Sequence, residues 1–147
     1  MATVRAIAPE ETIPLRQTVL YPDRPVEDIL LPDDASGMSF GAFLPNIDQP
    51  VAVIFLFTQD QAGVSPNSLP AVRIRHFACA PEYQGQGIGR ALLEFACSYS
   101  REQLNAQIVW CDARMPTVPW YERRGMTTYG EIFQKSGIDH IRMQIQL

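Results

Sequence analysis

The sequence predicts an α+β fold, with a mixed and largely antiparallel sheet carrying helices on both faces. Three observations lead to it. Two apolar runs, Met38–Leu44 and Val51–Phe57, are joined by the loop Pro45–Pro50 and read as an antiparallel hairpin. A strand, a glycine-rich loop and an amphipathic helix follow one another from Ala71 to Tyr99. The chain then closes on strands, the last of which alternates cleanly between apolar and polar residues.

The elements can be justified in order. Thr3–Ile7 is a candidate first strand. Thr12, Ile13 and Pro14 resemble a helix start, and Ile13, Gln17, Leu20 and Tyr21 give a helical face that Pro22 stops. Pro22–Gly37, rich in Pro and Asp, reads as an irregular segment, either a solvated connector or a cover for a substrate. After the hairpin, Thr58–Pro70 is a second polar connector, and Ala71–Cys79 is a strand. The helix beyond the glycines puts Ile88, Leu92, Phe95, Ala96 and Tyr99 on one face. Gln107–Cys111 is a short strand, and Val118–Arg124 a short helix with Gly125 suited to its C′ position. Thr127–Phe133 and His140–Leu147 are strands around Gln134–Gly137, with Ile141, Met143, Ile145 and Leu147 sharing a face. The resulting order is β-α-β-β-β-α-β-α-β-β.

The 147 residues suggest one domain, residues 1–147, able to bury about two thirds of the surface of its unfolded chain. With 46% hydrophobic and 19% charged residues the composition is that of an ordinary globular protein. A net charge of −4 and no cluster of Lys and Arg argue against nucleic acid as a partner. Cys79, Cys97 and Cys111 are odd in number and far apart, which argues against a disulfide framework and a structural zinc site. No signal peptide and no span long enough for a bilayer are visible, so the expectation is a reduced, cytoplasmic protein with no membrane partner. Edge strands in a small sheet leave a homodimer open.

The chemistry centres on Gln84-Gly85-Gln86-Gly87-Ile88-Gly89-Arg90. Three glycines in five residues let the backbone turn tightly and approach a ligand closely. The free N–H groups of a helix start and the helix dipole make such a loop an anion site for a phosphate or pyrophosphate, and Arg90 adds a full charge. The bland alternative is a glycine turn with no ligand. A Walker A string is absent. The dinucleotide fingerprint finds Gly85, Gly87 and an acid at Asp112, but Arg90 replaces its third glycine, and Ala80–Tyr83 separates strand from loop.

The stretch from Ala78 to Leu93 resembles the acetyl-CoA motif of the GNAT superfamily of N-acetyltransferases, and Trp120-Tyr121-Glu122-Arg123-Arg124-Gly125-Met126 resembles a second block of the same superfamily. The close match covers Val72–Met126. The resemblance implies a GNAT-like sheet whose central parallel strands, Ala71–Cys79 and Gln107–Cys111, splay apart to admit acetyl-CoA as acyl donor, with no metal. It also implies that the backbone of Phe77, Ala78 and Cys79 holds the pantetheine arm and the acetyl carbonyl. Gln84, Gly85, Gln86, Gly87, Ile88, Gly89 and Arg90 would wrap the pyrophosphate, and Tyr121 would be the general acid. The acceptor would be a small-molecule or peptide amine, attacked without a covalent enzyme intermediate.

Where the superfamily usually has an Asn contacting the cofactor, this chain has Arg114, a candidate for a phosphate or an acidic acceptor. His76 is a candidate base by its ordinary pKa, with a satisfied structural histidine as the bland alternative. Asp112, His140 and a water relay are others. Arg73 and Arg75 alternate with apolar residues on a strand and need partners, either an anionic acceptor or carboxylates of the fold. A non-catalytic acyl-CoA binder is the main rival function, and a dinucleotide oxidoreductase the remote one.

Overall fold

A computed structural model describes residues 2–64 and 69–147. The strands are β1 (Thr3–Ile7), β2 (Met38–Phe43), β3 (Ala52–Thr58), β4 (Ala71–Cys79), β5 (Ile108–Arg114), β6 (Thr127–Lys135) and β7 (Ile138–Gln146). The helices are α1 (Ile13–Leu15), α2 (Ile88–Gln103) and α3 (Val118–Glu122), with short 3-10 turns between elements. Among the described residues seven strands form one sheet in the order β1-β2-β3-β4-β5-β7-β6. The pairs β1–β2, β2–β3, β5–β7 and β6–β7 are antiparallel, and β4–β5 is parallel. This is the α+β architecture expected, with its mostly antiparallel sheet.

Contacts divide the chain into two compact units, Met1–Phe57 with Arg75–Ala96, and Thr58–Ile74 with Cys97–Leu147. In the first, β2 pairs with β1 from Ile7↔Ser39 to Thr3↔Phe43 and with β3 from Met38↔Leu56 to Ala42↔Ala52. Every residue of β3 from Ala52 to Phe57 is buried, which explains why it reads as an unbroken apolar run rather than an alternation. Ile7, Leu15, Phe43, Val53, Ala78 and Ala80 form a core against which Val19, Leu20 and Tyr83 pack. Gly41 is required there, because a Cβ would stand 3.1 Å from Ile7, Phe43 and Pro50 at once.

The helical stretch after β1 is less regular than its sequence face suggests. A 3-10 turn over Pro9–Thr12 leads through α1 into a π turn at Arg16–Leu20, closed by the Tyr21 amide on the Arg16 carbonyl at 2.9 Å. Pro22–Gly37 holds two 3-10 turns, and it is anchored, since Ile29 and Asp34 within it are buried.

In the second unit β4 contributes its first residues to a parallel ladder of three register pairs, Ala71↔Ile108, Val72↔Val109 and Arg73↔Trp110. Strand β5 pairs with β7 along its whole length, from Ile108↔Gln146 to Arg114↔His140. It therefore runs past the predicted end at Cys111, and Asp112 lies inside the strand because a cross-strand neighbour, Arg142, stands opposite it. Strands β6 and β7 are also longer than expected, so Gln134–Gly137 contracts to Ser136-Gly137 with φ values of 54° and 75°. Two successive left-handed residues are what a two-residue hairpin demands. A bulge between Tyr129 and Phe133 takes up Gly130, whose φ is 74°. Trp110 is fully buried and donates its indole N–H to the Gln59 carbonyl at 3.1 Å. Part of the Thr58–Pro70 connector, residues 65–68, lies outside the described residues. Among the described residues no helix is long and apolar enough to cross a membrane.

Candidate functional site

The glycine loop belongs to the first unit. Strand β4 ends at Cys79, and Pro81–Tyr83 forms a 3-10 turn that Tyr83 fixes by packing on the core. Gly85 and Gly87 then take φ values of 79° and 81°, which alanine would adopt only under strain. A Cβ at either position would meet no atom of the described residues within 4 Å. These glycines are therefore not demanded by neighbouring side chains. They are demanded by the backbone's own conformation, and they leave its outer surface bare.

The Ala91 amide bonds the Gly87 carbonyl at 3.0 Å to start α2, so the amides of Ile88, Gly89 and Arg90 precede the first helical acceptor. Gln84 donates its side-chain amide to the Cys79 carbonyl at 3.0 Å, tying the loop back to the end of β4. Arg90 is exposed and pairs with Glu94 at 2.8 Å. A cation in the first turn opposes the helix dipole, a cost an anion bound there would relieve. The loop thus fits a pyrophosphate: bare glycine backbone, amides without helical acceptors and a nearby guanidinium.

Eight residues before the glycine loop opens at Gln84, His76 sits in a polar cluster inside the first unit. Its φ is 53°, a left-handed conformation in mid-strand. Arg16, 0% exposed, donates to Asp34 Oδ2 at 2.7 Å and to the Ile29 carbonyl at 2.8 Å, and its guanidinium reaches to 3.4 Å from His76 Nε2. Asp34 Oδ1 lies 3.5 Å from the same nitrogen, while the Leu31 amide donates to Asp34 Oδ2. Phe55 packs edge-on against the imidazole at 5.2 Å and takes the Arg16 guanidinium over its face at 5.1 Å. The ring is 6% exposed and meets both Arg16 and Asp34 at Nε2, surroundings that lend no support to reading His76 as a base.

The arginines on β4 find carboxylates of the fold. Arg75 pairs with Asp33 at 3.1 Å, and Arg73 with Asp112 at 2.8 Å. Asp112 also receives Lys135 at 3.1 Å and faces Arg142 at 3.6 Å. Burial alone would raise its pKa, but Lys135, Arg73 and Arg142 outweigh that and hold it below the usual carboxylate range. A carboxylate so stabilised is a poor proton acceptor.

In the second unit α3 presents Tyr121. Pro119 suits the first helical turn, and Gly125 at φ 95° lets the chain turn back so that the Met126 amide reaches the Tyr121 carbonyl at 3.2 Å. The Tyr121 side chain is buried, edge-on to Trp120 at 5.2 Å. Burial, with the nearby Cys111 adding to it, pushes the phenol well above its ordinary pKa. The hydroxyl therefore keeps its proton throughout the neutral range. Burial likewise raises the Cys111 thiol to about 12. Cys79 is half-buried, and its thiol is raised by desolvation and by Glu82.

Arg114 closes β5 opposite His140, and its carbonyl accepts the Thr117 hydroxyl at 2.6 Å. His140 is buried and stacks on Phe133 at 5.8 Å. Its Nδ1 lies 2.8 Å from the Ile138 carbonyl, so Nδ1 carries the proton and Nε2 is the basic nitrogen of the neutral ring. Sequence reading passes over Arg16, Asp34, Lys135 and Arg142. For Arg142 a signal exists, because the alternation that puts Ile141, Met143 and Ile145 on one face of β7 puts His140, Arg142 and Gln144 on the other.

A family model described as the acetyltransferase (GNAT) domain matches residues 44–147. The curated protein YitI of Bacillus subtilis, named an uncharacterized N-acetyltransferase, is 28% identical over 144 residues, covering 97% of this chain and 95% of its own. Among solved structures, a Lactobacillus plantarum protein assigned as an N-acetyltransferase superposes with a TM-score of 0.80 at 19% identity, covering 99% of this chain and 98% of that one. A GNAT family acetyltransferase from Elizabethkingia anophelis, crystallised with acetyl-CoA bound, gives a TM-score of 0.68 at 19% identity, over 99% and 98% of the two chains.

Proposed function

Because the chain belongs to the GNAT acetyltransferase family, we propose that it moves an acetyl group from acetyl-CoA to a primary amine by direct attack, without a covalent enzyme intermediate. The observation that carries this reading is the loop at Gly85 and Gly87. Its left-handed glycines leave bare backbone facing open space at the start of α2, where a pyrophosphate gains both N–H donors and the helix dipole. The structural relative from Elizabethkingia anophelis, which binds acetyl-CoA, supports the same choice of cofactor.

Bound acetyl-CoA would supply the activated acyl group, and the residues of this chain would do the rest. Gln84, Gly85, Gln86, Gly87, Ile88, Gly89 and Arg90 hold the pyrophosphate. The Phe77, Ala78 and Cys79 backbone holds the pantetheine arm, and one N–H there steadies the developing oxyanion. Such a donor is worth about 3–4 kcal/mol. The Cys79 carbonyl already accepts from Gln84, and its second lone pair can take a donor of the arm. Arg114 contacts a cofactor phosphate in place of the family's usual amide side chain.

Tyr121 donates from its hydroxyl to the departing sulfur. Its raised pKa means that full proton transfer runs against the pKa difference from a thiol, so the hydrogen bond to the developing thiolate carries most of its effect. Neither His76 nor Asp112 is assigned as the base. The acceptor is a small-molecule or peptide amine.

Thermal unfolding with acetyl-CoA, and separately with NAD, tests the cofactor. A ligand at about 100 times its Kd adds roughly 2.7 kcal/mol of stability. A shift with acetyl-CoA alone, followed by amine-dependent release of CoA, is the expected result. A shift without amine-dependent release would make the protein a non-catalytic binder, and a shift with NAD alone would overturn the reading.

A further inference from the structure

One face of the β5–β7–β6 sheet carries a charged and aromatic array that acetyl transfer as described above does not use. Register places Asp112 opposite Arg142, Tyr129 opposite Arg142, Phe133 opposite His140, and Arg73 of β4 beside Trp110. Lys135, the chain's single lysine, joins them at the end of β6. Arg73 and Lys135 both reach Asp112 Oδ2, at 2.8 and 3.1 Å, and Arg142 Nε stands 3.6 Å from Oδ1. Three cations thus converge on one carboxylate.

Aromatic rings lie under two of the guanidinium groups. Arg73 lies 5.0 Å from the Trp110 ring centre and Arg142 lies 4.6 Å from that of Phe133. A guanidinium held over a ring in this way offers its fork with less loss of side-chain freedom. Arg142 is the least engaged of the three. Among the described residues its Nε has no hydrogen-bond partner, its contact with Asp112 is longer than a hydrogen bond, and 30% of its side chain is exposed. Lys135 is 43% exposed beside it. Asp112 orients this group and cannot also receive an ammonium, since both of its oxygens face cations.

The geometry points to this face as the binding site for a carboxylate on the acceptor, with Arg142 as its principal contact and Lys135 beside it. The acceptor class is then an amine that also carries a carboxylate, such as an amino acid or a short peptide, in preference to a polyamine. This runs against the whole-chain charge of −4, which by itself would steer a cation, because local geometry governs a contact at hydrogen-bond range. The inference rests on the acetyltransferase reading.

The test pairs each of the common α-amino acids with its carboxamide, adds spermidine, and measures acetyl-CoA-dependent acetylation by the full chain. Wild-type protein is expected to turn over at least one amino acid with kcat/KM about 10–100-fold above its carboxamide, the usual worth of one charged hydrogen bond. Arg142→Gln should erase that preference through the KM of the amino acid, leaving the carboxamide and the KM of acetyl-CoA unchanged, and Arg142→Lys should restore part of it. Should Arg142→Gln fail to fold, the wild-type preference still decides. Equal or better turnover of carboxamides or spermidine would overturn the inference. So would acetyl-CoA binding with no member of the panel acetylated, or an Arg142→Gln defect confined to the KM of acetyl-CoA. Loss of acetyl-CoA binding by the wild-type protein would instead overturn the acetyltransferase reading beneath it.

Discussion

Replacing Gly87 by alanine separates two reasons a glycine can be needed, its own backbone conformation and the approach of a ligand. Gly87 has a φ of 81°, and a Cβ there would meet nothing within 4 Å. The protein itself therefore charges the substitution only for placing an L-residue in the left-handed region, about 1–2 kcal/mol. Gly137 is a matched control, with a φ of 75° and the same open space. Both variants should lose similar stability, a fall in Tm of roughly 3–8 °C for a chain of this size. Acetyl-CoA should tell them apart. If the loop cradles the pyrophosphate, a methyl group at position 87 stands between phosphate oxygens and backbone N–H groups. Losing one charged hydrogen bond costs about 1.5–3 kcal/mol, so the Kd for acetyl-CoA should rise by about 10–100-fold in Gly87→Ala and stay unchanged in Gly137→Ala. Titration calorimetry at one temperature below both melting points reads this directly. A Gly87→Ala protein that binds acetyl-CoA like the wild type, or equal weakening in both variants, would refute the cradle.

Other expectations follow from the remaining sites. Tyr121→Phe should lower kcat by roughly 10–10³-fold with little change in acetyl-CoA binding, and unchanged turnover would remove its role as donor. Asp34→Asn strands the Arg16 guanidinium, which is 0% exposed. Denaturant unfolding should show a loss of about 3–5 kcal/mol, and a loss below about 1 kcal/mol would mean that the pair is not the anchor of the Pro22–Gly37 segment. Asp112 has a depressed folded-state pKa, so its ion pairs stabilise the fold above the ordinary carboxylate pKa and cease to do so as pH falls through the lowered value. Stability should therefore fall below about pH 4, and Asp112→Asn should flatten that acid limb; an identical limb in the variant would contradict the assignment.

Much of the fold was legible because its signals are local. The hairpin of β2 and β3, the strand-loop-helix passage through Gly85 and Gly87, and the alternation of β7 each lie within a few residues of one another. Boundaries slipped where pairing supplied what propensity lacked. Asp112 and Arg114 look like the end of a strand, yet β7 offers them cross-strand neighbours in Arg142 and His140, and β5 continues. The Pro22–Gly37 segment reads in sequence as a solvated connector or a substrate cover, and Ile29 and Asp34 fasten it inside the first unit.

By itself the sequence determined the order of elements along the chain, the glycine loop and the family, since these rest on short spacings that survive in one dimension. Tertiary structure alone decided what the charged residues do. Arg16, Asp34 and His76 are 18 and 60 residues from one another along the pairs that join them, and Arg73, Asp112, Lys135 and Arg142 come from four different strands. A buried charge is tolerable only beside its partner. That partner is chosen by sheet register and by turns of the chain, which no local pattern of residues records.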